Sequence, residues 1–228
     1  MLVERCALSE EITAAVEEYL EGIHRLQEAS GEAARTSDIV KSLQVAPGTV
    51  TNTVERLEKE GLVTHVPYKG VKLTEKGRKI AINVIRRHRL SERLLTDILR
   101  VKWSEAHQIA CKLEHSFTGE LVKKIEKVLR HPKTCPHGNP IPTQCGGIIE
   151  EKSEPLTNLK PKKKSVLVKI IDEKHEVLEY LSTLGLMPEA LLEVVEKAPF
   201  NGPITVKINR TKQALSFEIA SIIYVRKT

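Results

Sequence analysis

Hydrophobic positions divide the chain into stretches of different period. Between about Ser9 and Gln27, the residues Ile12, Val16, Tyr19, Ile23 and Leu26 recur at steps of three and four, which predicts a helix with one apolar face. Ser9 is the expected cap, and Glu10 and Glu11 suit the positive end of that helix. The stretch "RTSDIVKSLQVAPGTVTNTVERLEKEGLV" holds two short helices. Thr36 or Ser37 is the expected cap of the first, whose apolar side is Ile39, Val40 and Leu43. Pro47 suits the first turn of the second, Val50, Val54 and Leu57 point inward, and Gly61 ends it. Two short helices with so brief a break form a helix-turn-helix. "LVTHVPYKGVKLT" then alternates and turns around Tyr68, Lys69 and Gly70, the mark of a β-hairpin. The sum is a winged helix.

A long helix is expected from about Thr74 to Val101. Its first part is basic (Lys76, Arg78, Lys79, Arg86, Arg87) and its second is apolar on one side (Leu90, Leu94, Leu95, Ile98, Leu99). Further helices follow over about Ser104–Phe117 and Gly119–Leu129. The apolar excess of "LLTDILRVKW" exceeds what a short bundle needs and predicts a homodimer face. "RHPKTCPHGNPIPTQCGG" ends regular structure. From Val166 the strand-like runs "VLVKI", "LLEVVE", "ITVKI" and "IIYVR" appear, interrupted by a short helix near residues 173–184. The expected fold class is mainly α with a small β domain. Its parts are a winged helix-turn-helix over residues 1–73, a helical domain over 74–142, a linker over 143–164 and a small β-barrel over 165–228.

Composition narrows the function. The chain has 228 residues, 40% of them hydrophobic and 29% charged, as a soluble globular protein does. It has no apolar run long enough to span a bilayer, and "MLVERCALSEE" lacks the core of a signal peptide, so a cytoplasmic protein with no membrane partner is expected. Four scattered cysteines, Cys6, Cys111, Cys135 and Cys145, suit a reducing compartment. The net charge of +6 permits DNA binding, and basic residues outnumber acidic ones between Arg35 and Lys79, over the winged helix. The run "KPKKKS" reads as a solvated linker.

The candidate chemistry lies in "HQIACKLEH". With His107 at 0° on a helix, Cys111 falls at about 40°, Glu114 at about −20° and His115 at about 80°. A polar stripe of that width is ordinary, but this one is built only from residues that bind transition metals. His88 and Glu92 repeat the idea four residues apart, and Glu18 and Glu21 place two carboxylates on the first helix. Periodicity does not say whether the three helices meet.

"RRHRLSERLLTDIL", "HQIACKLEHSF" and "CPHGNPIP" together closely resemble the diphtheria toxin repressor family, iron- or manganese-activated repressors, over about residues 10–142. The C-terminal strands, with "LGLMPEALLEVVEKAPFNGPITV", resemble that family's SH3-like domain, which also occurs alone in small ferrous-transport accessory proteins. The resemblance implies a primary metal site of Glu18, Cys111, Glu114 and His115. It implies an ancillary site of His88, Glu92 and His107, to which Glu173 and Glu176 of the barrel add the spacing of two further ligands. Glu21 could join a manganese-type binuclear site. Iron-sensing members typically place methionine where this chain has Glu18. Manganese-sensing members place carboxylates both there and where this chain has Cys111. The thiolate favours iron, cobalt, nickel or zinc, so Fe(II) is the expected metal and Mn(II) the alternative, with Co, Ni and Zn able to substitute in vitro. Cys135, His137 and Cys145 suggest zinc, but they have no CxxC pair and no clear fourth ligand, and "CPHGNPIP" reads as a family loop motif.

In a helix-turn-helix the second helix enters the major groove with its N-terminal residues first. Thr49 and Thr51 suit phosphates, Asn52 a base edge, and Pro47 or Gly48 a thymine methyl. The family's groove-facing residues match these five positions, and Lys69 at the hairpin tip suits a phosphate. The expectation is a metal-activated repressor acting as a homodimer on a palindromic operator, with no small-molecule substrate and no catalysis. A zinc metalloenzyme and a metal-independent winged-helix regulator are the rival readings. The first lacks HExxH or any other hydrolase motif, and the second leaves the ligand stripe to coincidence.

Overall fold

The computed structural model describes residues 12–228, which form two compact units, one ending at Val84 and one starting at Ile85. In the first unit α1 (Ala14–Ser30) is capped by Thr13, whose hydroxyl accepts from Val16 N at 3.4 Å. The expected cap Ser9, with Glu10, Glu11 and Cys6, lies outside the described residues. The chain leaves α1 through Gly31 at φ +69°. α2 (Thr36–Leu43) begins with Arg35 at the cap position, so Thr36 and Ser37 are its first helical residues instead of its caps. α3 (Pro47–Lys59) starts on Pro47, where a missing N–H costs nothing. The strands β1 (Val63–Val66) and β2 (Gly70–Leu73) pair antiparallel as the wing.

One core joins these elements. Val16, Leu20 and Ile23 of α1 pack with Ile39, Val50, Val54, Leu57, Leu62 and Val71, and with Ile80 and Ala81 of the next helix. The wing is stitched to the α1–α2 connection by reciprocal bonds between Ala34 and Val71, each 2.9 Å. Gly70 makes that approach possible. It sits at φ +119°, and a Cβ there would lie 2.2 Å from the Ala34 carbonyl oxygen.

The helix α4 (Glu75–Arg93) is shorter than its apolar pattern implies. A single wide turn over Leu94–Ile98 follows it, and Arg100 at φ 58° breaks the chain direction. In the second unit come α5 (Ala106–Leu113), a tight 3₁₀ turn over Glu114–Ser116, and α6 (Gly119–Val128). Leu90, Val122, Ile125 and Ile141 form a small core there. Ile98 and Leu99, at the end of the wide turn, stay half exposed.

The last strands are β3 (Glu154–Pro155), β4 (Lys164–Ile170), β5 (Leu191–Lys197), β6 (Ile204–Ile208), β7 (Thr211–Leu215) and β8 (Ile223–Lys227). They form one antiparallel sheet in the order β3-β8-β4-β5-β6-β7, with α7 (His175–Thr183) and α8 (Phe217–Ser221) packed on its SH3-like core. That core begins earlier than the sequence pattern predicts. Leu156 and Leu159, in the stretch expected as linker, are fully buried in it. They sit on and just after a 3₁₀ turn, which carries neither periodicity to signal them. β7 was also not predicted, because "TKQAL" is an exposed edge strand without apolar alternation.

Leu156→Ala is expected to destabilise the second unit by about 2–5 kcal/mol through the cavity it opens. Chemical denaturation followed by tryptophan fluorescence measures this. A loss well under about 1 kcal/mol, as at an exposed linker site, would show that the core begins later.

Candidate metal centre and DNA-facing helix

The first unit presents α3 to solvent as expected. Pro47, Gly48, Thr49, Thr51 and Asn52 are all exposed, whereas Val50, Val54 and Leu57 are buried. The Thr51 hydroxyl donates to Pro47 O at 3.2 Å. Tyr68 and Lys69 stand exposed at the wing tip, Tyr68 in left-handed backbone at φ 62°. On α1 Glu18 is exposed, while Glu17, Glu21 and His24 are buried. Glu21 accepts two bonds from Arg25, at 2.6 and 3.1 Å.

The second unit gathers the ligand-type side chains. His88 and Glu92, one turn apart on α4, have almost no exposure. His88 Nε2 lies 3.1 Å from Glu92 Oε1 and 3.0 Å from His107 Nδ1 on α5. Glu173, just before α7, brings Oε2 to 3.3 Å from His107 Nδ1. His88, Glu92, His107 and Glu173 thus offer ligand atoms within 4.8 Å of one another. Cys111 belongs with the two histidines, its Sγ 4.0 Å from His88 Nδ1 and 3.8 Å from His107 Nε2. Glu114 and His115 lie on the 3₁₀ turn that continues α5 and belong to none of the tight ligand groupings among the described residues. Glu114 Oε2 instead meets His88 Nδ1 at 2.5 Å, and its other oxygen lies 3.3 Å from His115 Nε2. Glu176 is exposed on the first turn of α7 and belongs to none of the ligand groupings among the described residues.

The site also contains two residues that sequence reasoning set aside. His137 is fully buried and brings Nδ1 to 3.1 Å from Glu92 Oε1 and 3.4 Å from Glu173 Oε1. Cys135 Sγ is 3.8 Å from Glu173 Oε1, so Glu92, Cys135, His137 and Glu173 form another compact group. His137 Nε2 faces the Trp103 carbonyl at 3.1 Å. A proton donated there leaves the Nδ1 lone pair for the cluster, as a ligating imidazole requires. Cys145 is exposed and lies outside these groups. No spacing rule could have joined Cys135 and His137 to Glu92 and Glu173, about 40 residues away on either side.

The loop that carries them, Cys135–Pro142, is buried throughout. Its prolines have no N–H, and its carbonyls need donors. α4 supplies them: Arg86 donates to Pro142 O at 2.5 Å, Arg89 to Pro140 O, and Arg93 to Thr134 O at 2.7 Å. Trp103 Nε1 adds a bond to Pro136 O at 2.8 Å. Part of the basic run on α4 is therefore a clamp on this loop. Lys76, Arg78 and Lys79 stay exposed.

The electrostatics fit a cation. Burial opposes charge on His88, but the Glu92 charge and bonds to Cys111, Glu114 and Glu92 outweigh it and raise its pKa well above the usual histidine value. Burial likewise opposes charge on His107, yet bonds to Cys111, Glu173 and Glu92 push its pKa up to about 11. His137 is raised despite burial, through Cys135, Glu173 and Glu92. Burial works against ionisation of Glu92 and Glu173, but the surrounding histidines hold both carboxyls below the usual range. Cys111 is brought down to about 7 by His107 and His88 against burial, whereas burial and the Glu92 charge push Cys135 up to about 11. Glu92 Oε2 is buried without a hydrogen-bond partner, an unfilled acceptor in a nest of imidazoles, carboxylates and thiols. That donor set suits a divalent transition metal.

Comparison with known proteins agrees. Residues 11–71 match the model of an iron-dependent repressor N-terminal DNA-binding domain. Residues 74–143 match that of an iron-dependent repressor metal-binding and dimerisation domain, and 154–227 match a FeoA domain. The iron-dependent repressor IdeR of Mycobacterium tuberculosis is 33% identical over 234 residues, spanning 95% of this chain and 99% of its own. A manganese-dependent transcriptional repressor in complex with manganese superposes with a TM-score of 0.86 at 29% identity, over 93% of this chain and all of that one. ScaR with bound Zn2+ gives 0.81 at 28%, over 93% and 99%.

Protons on the histidines and on Cys111 compete with any cation for the same lone pairs. Metal affinity is therefore expected to rise with pH from about 6 to 8, with a net release of protons seen by calorimetry in buffers of different ionisation enthalpy. Affinity independent of pH, with no proton release, would contradict the ligand set.

Proposed function

The chain belongs to the family of iron-dependent and diphtheria toxin repressors, and on that premise we propose which of its residues bind metal, read DNA and join two copies. It is a metal-dependent, DNA-binding transcriptional repressor with a dimerisation domain, in a family whose members are not enzymes. The domain limits we propose are a winged helix through about residue 73, a metal-binding and dimerisation domain to about 142 and an SH3-like domain whose core starts at Leu156.

The observation that carries the metal reading is the buried, unpartnered Glu92 Oε2 among His88, His107, His137 and Glu173. We assign Glu92, His107, His137, Glu173 and Cys135 to one centre, and Cys111, Glu114 and His115, with His88 between, to the other. Glu18 joins the second set by family resemblance alone, and Glu21 and Glu176 remain weaker candidates on the same ground. A bound divalent cation supplies positive charge that replaces protons among these groups. Two cysteines in the set support Fe(II), softer-ligand chemistry than Mn(II) favours. The carboxylate of Glu18 and the manganese complex among the structural relatives support Mn(II) as the second reading.

Pro47, Gly48, Thr49, Thr51 and Asn52 are assigned to the major groove and Lys69 to a phosphate, which their exposure supports. A homodimer reads two half-sites related by its own two-fold axis, so a palindromic operator is expected. Half-exposed Ile98 and Leu99 are assigned to the dimer face. DNA as partner implies the cytoplasm; no described helix is long and apolar enough to cross a membrane. Metal favours the DNA-competent arrangement, on the usual scale of about 1–3 kcal/mol of coupling.

Anaerobic binding to genomic fragments tests this. Fragment-specific binding is expected with Fe(II) and not with chelator. Binding indifferent to chelator would remove the metal switch, and Mn(II) equal to Fe(II) at matched free concentration would select the second reading. Cys111→Ala and His115→Ala are expected to lose the metal response while keeping the folded circular-dichroism spectrum; an unaltered response would remove both residues from the site. Leu99→Arg is expected to shift the protein from dimer to monomer in sedimentation equilibrium, and an unchanged mass would place the dimer face elsewhere.

A further inference from the structure

Glu173 reaches the cluster from the SH3-like domain, on the short connection between β4 and α7. A carboxylate on a connection has many rotamers, and something must hold this one where His107 and His137 can use it. One side chain that does so, outside the ligand groups, is Asn139, from the proline-rich loop. Asn139 is buried, and its amide nitrogen donates to Glu173 Oε1 at 2.8 Å and to Ile170 O at 2.9 Å. An amide carries two N–H groups, so both are used.

The loop's backbone repeats the contact. Ile170 N donates to His137 O at 3.0 Å. Gly138, at φ +88°, passes so close to β4 that a Cβ would lie 1.9 Å from Val168 O. Within the loop Cys135 N donates to Asn139 O at 2.8 Å, which ties the Asn139 backbone to the residue bearing the thiol. The last residue of β4, the loop and the Glu173 carboxylate thus form one hydrogen-bonded seam. Asn139 makes the shortest contact to Oε1, ahead of His137 Nδ1 at 3.4 Å and Cys135 Sγ at 3.8 Å, and Oε2 is turned to His107.

We infer that Asn139 is a positioning residue for the metal centre, fixing Glu173 so that the SH3-like domain contributes a ligand. This rests on the reading of Glu173 as a ligand. Asn139 itself belongs to none of the ligand groups; it acts through the carboxylate it holds, and such outer partners typically alter metal affinity by about 10–100-fold.

The test is an anaerobic titration of the full chain with Co(II), read by its visible absorption, for the parent protein, Asn139→Ala, Glu173→Ala and the double variant. Glu173→Ala is expected to weaken one site and change its spectrum. Asn139→Ala is expected to weaken the same site by about tenfold or more, and the double variant to bind no more weakly than Glu173→Ala. If Glu173→Ala leaves Co(II) binding unchanged, the ligand assignment fails. If Glu173→Ala weakens it but Asn139→Ala does not, or if the two losses add, the positioning role fails. Hydrogen exchange at the Ile170 amide, which bonds to His137 O without the Asn139 side chain, reports whether the loop stays docked. Should Asn139→Ala undock it, Asn139→Asp keeps the volume, replaces the donor by an acceptor and carries the same expectations, alone and combined with Glu173→Ala.

Discussion

A carboxylate with no exposure, Glu92, is the constraint on which the second unit depends. Removing an ion from water costs several kcal/mol unless charged partners surround it. Glu92 Oε1 has three imidazoles within 3.3 Å: His88 from its own helix, His107 from α5 and His137 from the loop. Each comes from a different place in the chain, so satisfying this one oxygen fixes how α4, α5 and the loop meet. Among the described residues the other oxygen has no hydrogen-bond partner. Imidazoles held above their usual pKa supply the opposing charge as protons, and on the proposed reading a bound cation replaces those protons.

The same logic explains the arginines of α4. A loop with prolines at 136, 140 and 142 satisfies only part of its backbone by itself, through bonds such as Cys135 N to Asn139 O. Buried, it needs outside donors, and the guanidinium groups of Arg86, Arg89 and Arg93 supply them along one helix face. The carbonyls on either side of His137 and Cys135 are held in this way. Trp103 joins both ends of this arrangement, donating to Pro136 O, accepting from His137 and packing its ring on the SH3-like core. The SH3-like domain in this way packs directly against the side chains of the candidate site.

Much of this was legible in the sequence. Periodicity located α1, α3 and the wing, because amphipathic helices and a glycine turn leave strong local patterns. The pairing of His88 with Glu92 and the nearness of His107 and Cys111 followed from helical spacing. Glu114 and His115 follow on a 3₁₀ turn after Leu113, where Glu114 meets His88, a contact between helices that spacing does not show. Cys135 and His137 were set aside for want of local partners; their partners lie on α4 and before α7, contacts that only the tertiary fold creates. Glu173 is reached through family resemblance and its three-residue spacing from Glu176, of which only Glu173 lies in the cluster. Leu156 and Leu159 were hidden in a lysine-rich stretch whose two apolar residues form no period.

The central claim is that the Glu92 cluster holds a metal using side chains of both the helical and SH3-like domains. The measurement that tests it most directly is an anomalous difference map from crystals grown with Mn(II) or Fe(II). A peak bounded by Glu92, His107, His137 and Glu173 is the expected result. Fully ordered side chains there with metal peaks only elsewhere would contradict the account.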